Sequence, residues 1–170
     1  SHFLETLWWG IPCLIIVVLA ILTWKKTHSL DPYQKITGTS KPLLIQAIAL
    51  PWKWLFIYQQ QDIASVNYLR IPVDTPINFE ITSDAPMNSF WIPRLGGQIY
   101  AMTGMTNTLN LVANEPGIFP GISANYSGDG FSKMKFTAKV VQQSDFDAWV
   151  REVRQSAYVL NADTYVPLAA

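Results

Sequence analysis

The sequence has very little of what most enzyme active sites are built from. Its 170 residues include one cysteine, Cys13, and two histidines, His2 and His28. A single cysteine forms no intrachain disulfide, and it supplies at most half of a two-thiolate metal site. Since no histidine or cysteine follows His28, Ser-His-Asp and Cys-His catalytic arrangements are excluded from the rest of the chain.

Charged residues are also scarce, at 14% of the chain, and 12 basic residues balance 12 acidic ones. Because there is no basic excess to neutralise phosphates, the composition argues against nucleic acid as a partner. Glycine loops that cradle phosphates are missing as well, since neither Gly96-Gly97 nor Gly128-x-Gly130 is followed by a helical pattern. The sequence therefore predicts no active site in the residues that follow His28.

What the chain does have is one long apolar run near its start. The 18 residues from Leu7 to Trp24 carry no charge. At about 1.5 Å rise per residue, such a helix is just long enough for a hydrocarbon core roughly 30 Å thick. A signal peptide is disfavoured because Lys25 and Lys26 follow the run, and a buried core helix rarely lacks a polar face over this length. We predict a transmembrane helix in residues 1–26.

Charge alone does not decide the orientation of this helix. By the positive-inside rule, Lys25 and Lys26 would place the following domain in the cytoplasm. Large domains, however, cross a membrane largely regardless of such charges. Both orientations therefore stay open on the residues alone.

Residues 27–41 are polar and indicate a linker, after which the pattern changes to short β-like runs. Seven runs are rich in β-branched and aromatic residues and are separated by turn residues. They are Leu43–Leu50, Trp52–Tyr58, Tyr68–Val73, Ile77–Ser83, Ser89–Pro93, Thr108–Asn114 and Met134–Val141. Seven short strands over about a hundred residues predict a mainly β domain, residues 42–142, built as an antiparallel sandwich or small barrel.

Residues 143–170 are predicted to form a C-terminal helix and an arm. Ser144 is the expected N-cap, and Arg151 and Arg154 lie near the expected helix end, where cations suit the helix dipole. An apolar stripe would pack either on the domain or on a partner subunit. It consists of Phe146, Trp149, Val150 and Val153. From Tyr158 onwards no pattern is evident, and an extended arm is expected.

Three motifs resemble subunit II of the haem-copper terminal oxidases. They are PWKWLFIY (Pro51–Tyr58), NSFWIPRLGGQIYAMTGM (Asn88–Met105) and NEPGIFPGISANYSGDGFSKMKF (Asn114–Phe136). Their order and spacing match along nearly the whole chain. The resemblance implies a cupredoxin fold for the extramembrane domain, and it makes the predicted helix the family's second span, with an upstream part missing. It also implies that the helix starts at the cytoplasm and that the domain lies in the periplasm, at a bacterial inner membrane.

In the cytochrome c-oxidising branch of this family, the domain binds a two-copper electron-entry centre. Two bridging thiolates, two imidazoles, a thioether and a backbone carbonyl hold the copper. By resemblance, the imidazoles fall on Asn88 and Phe131, the thiolates on Ser123 and Ser127, the carbonyl-supplying residue on Asn125 and the thioether on Met134. Only Met134 keeps its ligand type. Hydroxyl and amide groups are poor ligands for copper, so the resemblance implies no metal and no cofactor in this chain.

This loss of ligands is typical of the quinol-oxidising branch, and the sequence is most similar to the bo-type ubiquinol oxidases. The resemblance implies a non-catalytic subunit II of a proton-pumping ubiquinol:oxygen oxidoreductase. Its partners would be the catalytic subunit I, other oxidase subunits and membrane lipid. Haems and copper are expected in the catalytic subunit, and ubiquinol as the substrate of the complex.

Two alternatives to this function remain. A copper-containing electron-entry subunit of a cytochrome c oxidase is disfavoured by the replaced ligands at Asn88, Ser123, Ser127 and Phe131. A free membrane-tethered binding module that has lost its oxidase is compatible with the sequence. Association with a haem-containing subunit would distinguish this module from an oxidase subunit.

Glu5 is a candidate functional residue of the predicted span. It lies seven residues before Pro12, and ionisable groups in membrane segments are commonly functional. Glu5 resembles a glutamate that, in members of the family, lies near the mouth of a proton-uptake channel of the catalytic subunit. The alternative is an interfacial carboxylate that only marks the helix end, and both interpretations stay open.

Trp52, Trp54 and Trp91 also have two interpretations. In the copper branch an aromatic residue in this region helps electrons to enter, as the resemblance implies. Because no copper is expected here to receive them, we predict packing and subunit contact for these rings.

Overall fold

The structure, a computed structural model, describes residues 2–31 and 41–170. The chain divides into two compact units, Ser1–Gln34 and Lys35–Ala170. Most of the predicted linker, residues 27–41, lies outside the described residues.

The first unit is a single helix, α1 (His2–Ser29), of 28 residues. Its most apolar 18-residue window has a mean hydropathy of 2.3, and none of that window is buried. By length and composition α1 can therefore cross a membrane. It continues beyond the predicted end at residue 26 to Ser29, with Lys26 and His28 in its last turn.

The second unit is built around two five-stranded sheets. The strands are β1 (Leu43–Leu50), β2 (Lys53–Tyr58), β3 (Ile63–Val66), β4 (Tyr68–Pro72), β5 (Ile77–Ser83), β6 (Asn88–Trp91), β7 (Ile99–Ala101), β8 (Asn107–Leu111), β9 (Gly117–Ser123) and β10 (Lys135–Val141). Sheet A has the strand order β3-β2-β1-β5-β8, and sheet B has the order β4-β10-β9-β6-β7.

Aromatic rings from both sheets meet in the core between them. Buried and half-buried residues alternate along β1, β5 and β10, as expected when one sheet face is buried. Phe90 is fully buried and lies at the centre of this cluster. Its ring centroid is 5.1 Å from that of Phe136, 5.2 Å from Phe79 and 5.4 Å from Trp54. These rings supply much of the apolar area that holds the sheets together.

The predicted mainly β sandwich is confirmed, and most predicted strands lie within a few residues of observed ones. The sheets are mixed, however, because β1 pairs with β5 and β10 with β4 in parallel. Three strands were not anticipated. Of these, β3 and β7 are only 4 and 3 residues long, too short for a pattern to show.

The third unanticipated strand, β9, contains Pro120 and Gly121, which normally argue against a strand. Proline is tolerated here because β6 pairs with β9 only at Ile122 and Ser123, so Pro120 has a neighbouring strand on one side only. A Cβ atom on Gly121 would lie 2.1 Å from Cζ of Phe136. The glycine therefore lets a core ring lie directly against the strand.

Helix α2 (Gln143–Arg154) closes one side of the domain. Phe146, Trp149 and Val150 are buried and Val153 packs against the same core, so the predicted stripe packs on the chain's own domain. The predicted N-cap at Ser144 is wrong. The cap is Gln142, because its carbonyl already accepts hydrogen bonds from the amides of Asp145 and Phe146.

A second short helix, α3 (Ala162–Ala169), occupies the place of the expected extended arm. Asn161 and Thr164 form a reciprocal capping box at its start, which stabilises a helix N-terminus. Lys53 Nζ donates to the carbonyl of Leu168 at 2.7 Å, and the Tyr165 hydroxyl donates to Asp84 Oδ2 at 2.6 Å. Burial and this carboxylate raise the pKa of Tyr165 to about 12. These long-range contacts, invisible in the local sequence, hold α3.

Candidate functional site

The residues that the resemblance places at the family's copper positions lie around one end of sheet B. Asn88 begins β6 and Ser123 ends β9, and these two strands are paired. The other positions follow in the connection from β9 to β10, which contains a 3-10 turn at Phe131–Lys133. We call this set the loop site. It comprises Asn88, Ser123, Asn125, Ser127, Phe131 and Met134.

Asn88 and Ser123 form a buried hydrogen-bonded pair at the centre of the loop site. They are 1% and 3% exposed. The Ser123 hydroxyl donates to Asn88 Oδ1 at 2.8 Å, and Asn88 Nδ2 donates to the carbonyl of Pro86 at 2.7 Å. The amide of Ser89 donates to Ser123 Oγ at 3.4 Å. The two side chains therefore satisfy each other and fasten β9 to the start of β6.

Met134 and Asn125 attach the rest of the connection to the same strands. Met134 is buried, and its carbonyl accepts from the amide of Ser123 at 3.2 Å. Asn125 Nδ2 donates to the carbonyl of Met87 at 3.1 Å, just before β6. The structure thus brings together Asn88, Ser123, Asn125 and Met134 through direct bonds and neighbouring backbone.

Ser127 and Phe131 are placed differently from these four residues. Ser127 Oγ is a buried hydroxyl with no hydrogen-bond partner among the described residues. Phe131 is half-buried and packs edge-on against Tyr126, with 5.7 Å between ring centroids. The two positions therefore lie outside the hydrogen-bonded pair of Asn88 and Ser123.

Trp52 covers the turn that contains Gly128 and Gly130, in the connection from β9 to β10. Its indole lies so close that a Cβ atom on Gly130 would be 2.2 Å from Cδ2, and one on Gly128 would be 2.8 Å from Cη2. Trp52 itself has a left-handed φ of 60° and is 42% exposed. The close contact with Trp52 explains both glycines, Gly128 and Gly130.

The other two tryptophans differ in exposure. Trp54 is fully buried among the core rings, in agreement with the predicted packing role. Its Nε1 has no hydrogen-bond partner among the described residues. Trp91 is half-buried on β6.

The donor atoms of the loop site are two hydroxyls, two amide groups and one thioether. Copper in electron-transfer centres is held by thiolate and imidazole ligands, and the loop site has neither. Across residues 2–31 and 41–170, no group of three or more His, Cys, Asp or Glu side chains could hold a metal ion. The side chains of Asn88 and Ser123 already form a hydrogen bond with each other.

Glu5 lies in the first turn of α1 and is exposed. Its Oε2 atom is 3.4 Å from Nδ1 of His2, a residue about one helical turn earlier in α1. An exposed pair of this kind contributes little to helix stability. The carboxylate is exposed at this end of the helix.

Replacement of Ser123 by alanine is expected to lower the free energy of unfolding by about 1–3 kcal/mol, because Asn88 Oδ1 is then buried without a donor. Ser132→Ala is the matched control, since Ser132 is exposed and its loss should change stability by less than about 0.5 kcal/mol. Urea unfolding of the detergent-solubilised protein measures both values. Equal stabilities of the two variants would show that the pair does not fasten the strands.

The sequence matches the family model described as "Cytochrome C oxidase subunit II, periplasmic domain" over residues 40–141. It is 56% identical to "Cytochrome bo(3) ubiquinol oxidase subunit 2" of Pseudomonas putida, over 99% of this chain and 54% of the relative. It is 54% identical to "Ubiquinol oxidase subunit 2" of Acetobacter aceti, over 100% of this chain and 56% of the relative. The chain thus spans about half the length of the curated relatives it matches.

A solved structure gives the same fold. The periplasmic domain of subunit II of cytochrome oxidase (CoxB) of Bradyrhizobium japonicum superimposes with a TM-score of 0.67. The match covers 72% of this chain and 98% of that one, at 21% sequence identity. Together with the family match over residues 40–141, this agrees with the cupredoxin-like fold expected from the motifs. The chain therefore belongs to the cytochrome c oxidase subunit II family.

Proposed function

We propose that this chain is part of the non-catalytic subunit II of a proton-pumping ubiquinol oxidase. The observation that carries the proposal is the Asn88–Ser123 hydrogen bond of 2.8 Å at the centre of the loop site. In a copper centre these two positions would present an imidazole and a thiolate to the metal. Here they present an amide and a hydroxyl to each other. The names of the relatives from Pseudomonas putida and Acetobacter aceti support the same function.

The absence of suitable ligands has a consequence for the electron donor. The loop site retains one soft ligand, the thioether of Met134, and a single thioether does not hold copper. Without a copper relay, the domain has no route for electrons from a soluble cytochrome. A quinol, which dissolves in the membrane, needs no such relay because it is oxidised within the catalytic subunit.

The remaining roles of the chain follow from this proposal. α1 anchors the subunit in a bacterial inner membrane, and the β domain lies on the periplasmic side. The catalytic subunit I carries the haems and copper and oxidises ubiquinol. The loop site is tied by hydrogen bonds where the cytochrome c-oxidising branch of the family holds copper, and it acts as a structural element of the β domain.

Affinity purification of this protein from its own membranes tests the proposed function. We expect a haem-containing subunit to co-purify and the complex to consume oxygen with ubiquinol but not with reduced cytochrome c. Oxygen consumption with cytochrome c alone would contradict the proposal in favour of a copper electron-entry subunit. Isolation of the chain without any haem subunit would favour a free membrane-tethered module.

We further propose that Glu5 assists proton uptake by the complex. Glu5→Gln keeps the size of the side chain but removes its ability to ionise, so we expect at least about tenfold slower turnover with unchanged subunit content. The matched control is Glu152→Gln, an exposed carboxyl on α2, which should leave turnover unaltered. Oxygen consumption per haem measures both variants. Unchanged turnover of Glu5→Gln would contradict this proposal and would show that Glu5 is only an interfacial carboxylate at the helix end.

A further inference from the structure

The outer face of sheet B carries cationic and apolar side chains next to one another. In the β10–β4 register Lys139 is opposite Arg70, and in the β10–β9 register Lys139 is opposite Ile118. Lys135 is opposite Ile122 on the same face, and Phe136 and Ala138, which point the other way, are buried. We call this surface the cationic face. It comprises Arg70, Ile118, Pro120, Ile122, Lys135 and Lys139.

The charges of the cationic face have no carboxylate partner among the described residues. None of the five strands of sheet B contains Asp or Glu. Within the described part of the chain, no carboxylate lies within ion-pair distance of Arg70, Lys135 or Lys139. Since like charges on directly opposite residues of neighbouring strands repel each other, an anion placed between Arg70 and Lys139 would relieve an existing repulsion.

Arg70 is held in one orientation before any partner binds. Its guanidinium carbon is 5.4 Å from the ring centroid of Tyr68 and 5.2 Å from that of Trp149. Its Nη2 donates to the Tyr68 hydroxyl at 2.9 Å. A guanidinium fixed in this way loses little conformational entropy when it binds a carboxylate. It is therefore a preorganised anion-binding group.

The outer face of sheet A contrasts with this arrangement. There Gln46 Nε2 donates to Glu80 Oε2 at 3.3 Å, and Asn78 Nδ2 donates to Asn110 Oδ1 at 2.9 Å. Its polar side chains are thus bonded to one another across neighbouring strands. The cationic face instead leaves Ile118 66% exposed beside its charges.

We propose that the cationic face is the docking surface for an acidic segment of a partner subunit. A carboxylate of that segment binds between Arg70 and Lys139, and its apolar side chains cover Ile118 and Ile122. Arg70 and Lys139 are half-buried, so a carboxylate on a side chain that reaches the sheet surface fits better than a diffuse layer of lipid headgroups. The proposal rests on the proposed function in so far as it assumes partner subunits in the oxidase complex.

Charge reversal in the intact complex tests the docking surface. Lys135→Glu/Lys139→Glu should increase the fraction of this protein lost from the affinity-purified complex at moderate salt by about tenfold. The matched control Lys133→Glu/Arg151→Glu changes the charge equally at exposed positions outside the face and should behave as the unmodified protein. Equal retention of both double variants would overturn the docking surface while leaving the oxidase function intact. If the unmodified protein co-purifies with no haem subunit, both proposals fail.

Zero-length cross-linking with a carbodiimide identifies the partner group. The reagent activates a carboxylate, the Lys139 amine displaces the activating group to form an amide, and the reagent leaves as its urea. We expect a cross-link from Lys139 to an Asp or Glu of another subunit. Lys139→Arg should abolish this cross-link yet keep normal retention, because the cation remains. The proposal is overturned if Lys139 forms no such cross-link, or if charge reversal weakens only binding of the protein to phosphatidylglycerol vesicles.

Discussion

Restoring the missing ligands is expected to convert the loop site into a copper centre. The variant combines Asn88→His, Ser123→Cys, Ser127→Cys and Phe131→His and keeps Met134. Two thiolates, two imidazoles and a thioether then stand where the resemblance places the family's copper ligands, and this is a ligand set that copper prefers. We expect stoichiometric copper and a mixed-valence visible spectrum where the unmodified protein has neither, measured by metal analysis and absorption spectroscopy.

The geometry of the loop site gives a reason to expect that this variant binds copper. Asn88 and Ser123 are buried within hydrogen-bonding distance of each other, and Met134 is buried beside the amide of Ser123. The matched control contains the same substitutions except Ser123→Cys. With one thiolate the double thiolate bridge between two metal ions cannot form, so the mixed-valence spectrum should disappear. A folded variant that carries all four substitutions and binds no copper would show that the loop site is not a former metal site.

Phe90→Ala is expected to lower the free energy of unfolding of the β domain by about 3–5 kcal/mol, which is the usual cost of removing a buried phenyl ring. Phe90 is fully buried, and its ring contacts those of Trp54, Phe79 and Phe136. The substitution therefore removes apolar contacts to both sheets at once. Urea unfolding of the detergent-solubilised protein, followed by tryptophan fluorescence, measures the change as a lower midpoint with an unchanged slope.

Tyr158→Ala serves as the control for Phe90→Ala. Tyr158 is 94% exposed, and truncation of an aromatic side chain at such a position should change stability by less than about 0.5 kcal/mol. If Phe90→Ala changed stability no more than Tyr158→Ala does, the aromatic cluster could not be the main contact between the sheets.

The parts of the fold that the sequence predicts are those in which burial alternates along the chain. The runs Leu43–Leu50 and Ile77–Ser83 are strands with their predicted bounds, since one face of each points into the core. α2 was predicted because Phe146, Trp149 and Val150 recur at helical spacing, and in the structure all three are buried. In each case the local pattern and the tertiary environment favour the same structure.

The parts that the sequence did not predict depend on distant residues. The strand β9 contains Pro120 and Gly121, and both fit only because of what lies beside them. Pro120 lies where β9 is paired on one side only, and Gly121 lies against the ring of Phe136. α3 contains Pro167 and is held by Lys53 and Asp84. The local sequence of these segments does not indicate which distant residues they contact.

The loop site shows the same division. Its positions followed from the resemblance of two motifs to the family, but the motifs do not reveal how the replacement side chains bond. Asn88 and Asn125 donate to the main-chain carbonyls of Pro86 and Met87, and these acceptors depend on backbone geometry alone. The cationic face was likewise not predicted, because Arg70, Ile118 and Lys139 become neighbours only through strand register.

The copper content of this subunit, measured after it is separated from the catalytic subunit of the purified oxidase, tests the central claim most directly. The account predicts that the separated subunit carries no stoichiometric copper and shows no mixed-valence signal, while the intact complex oxidises ubiquinol. The Asn88–Ser123 pair would then stand where the copper-binding relatives hold their metal. Stoichiometric copper with a mixed-valence spectrum in the separated subunit would contradict the account.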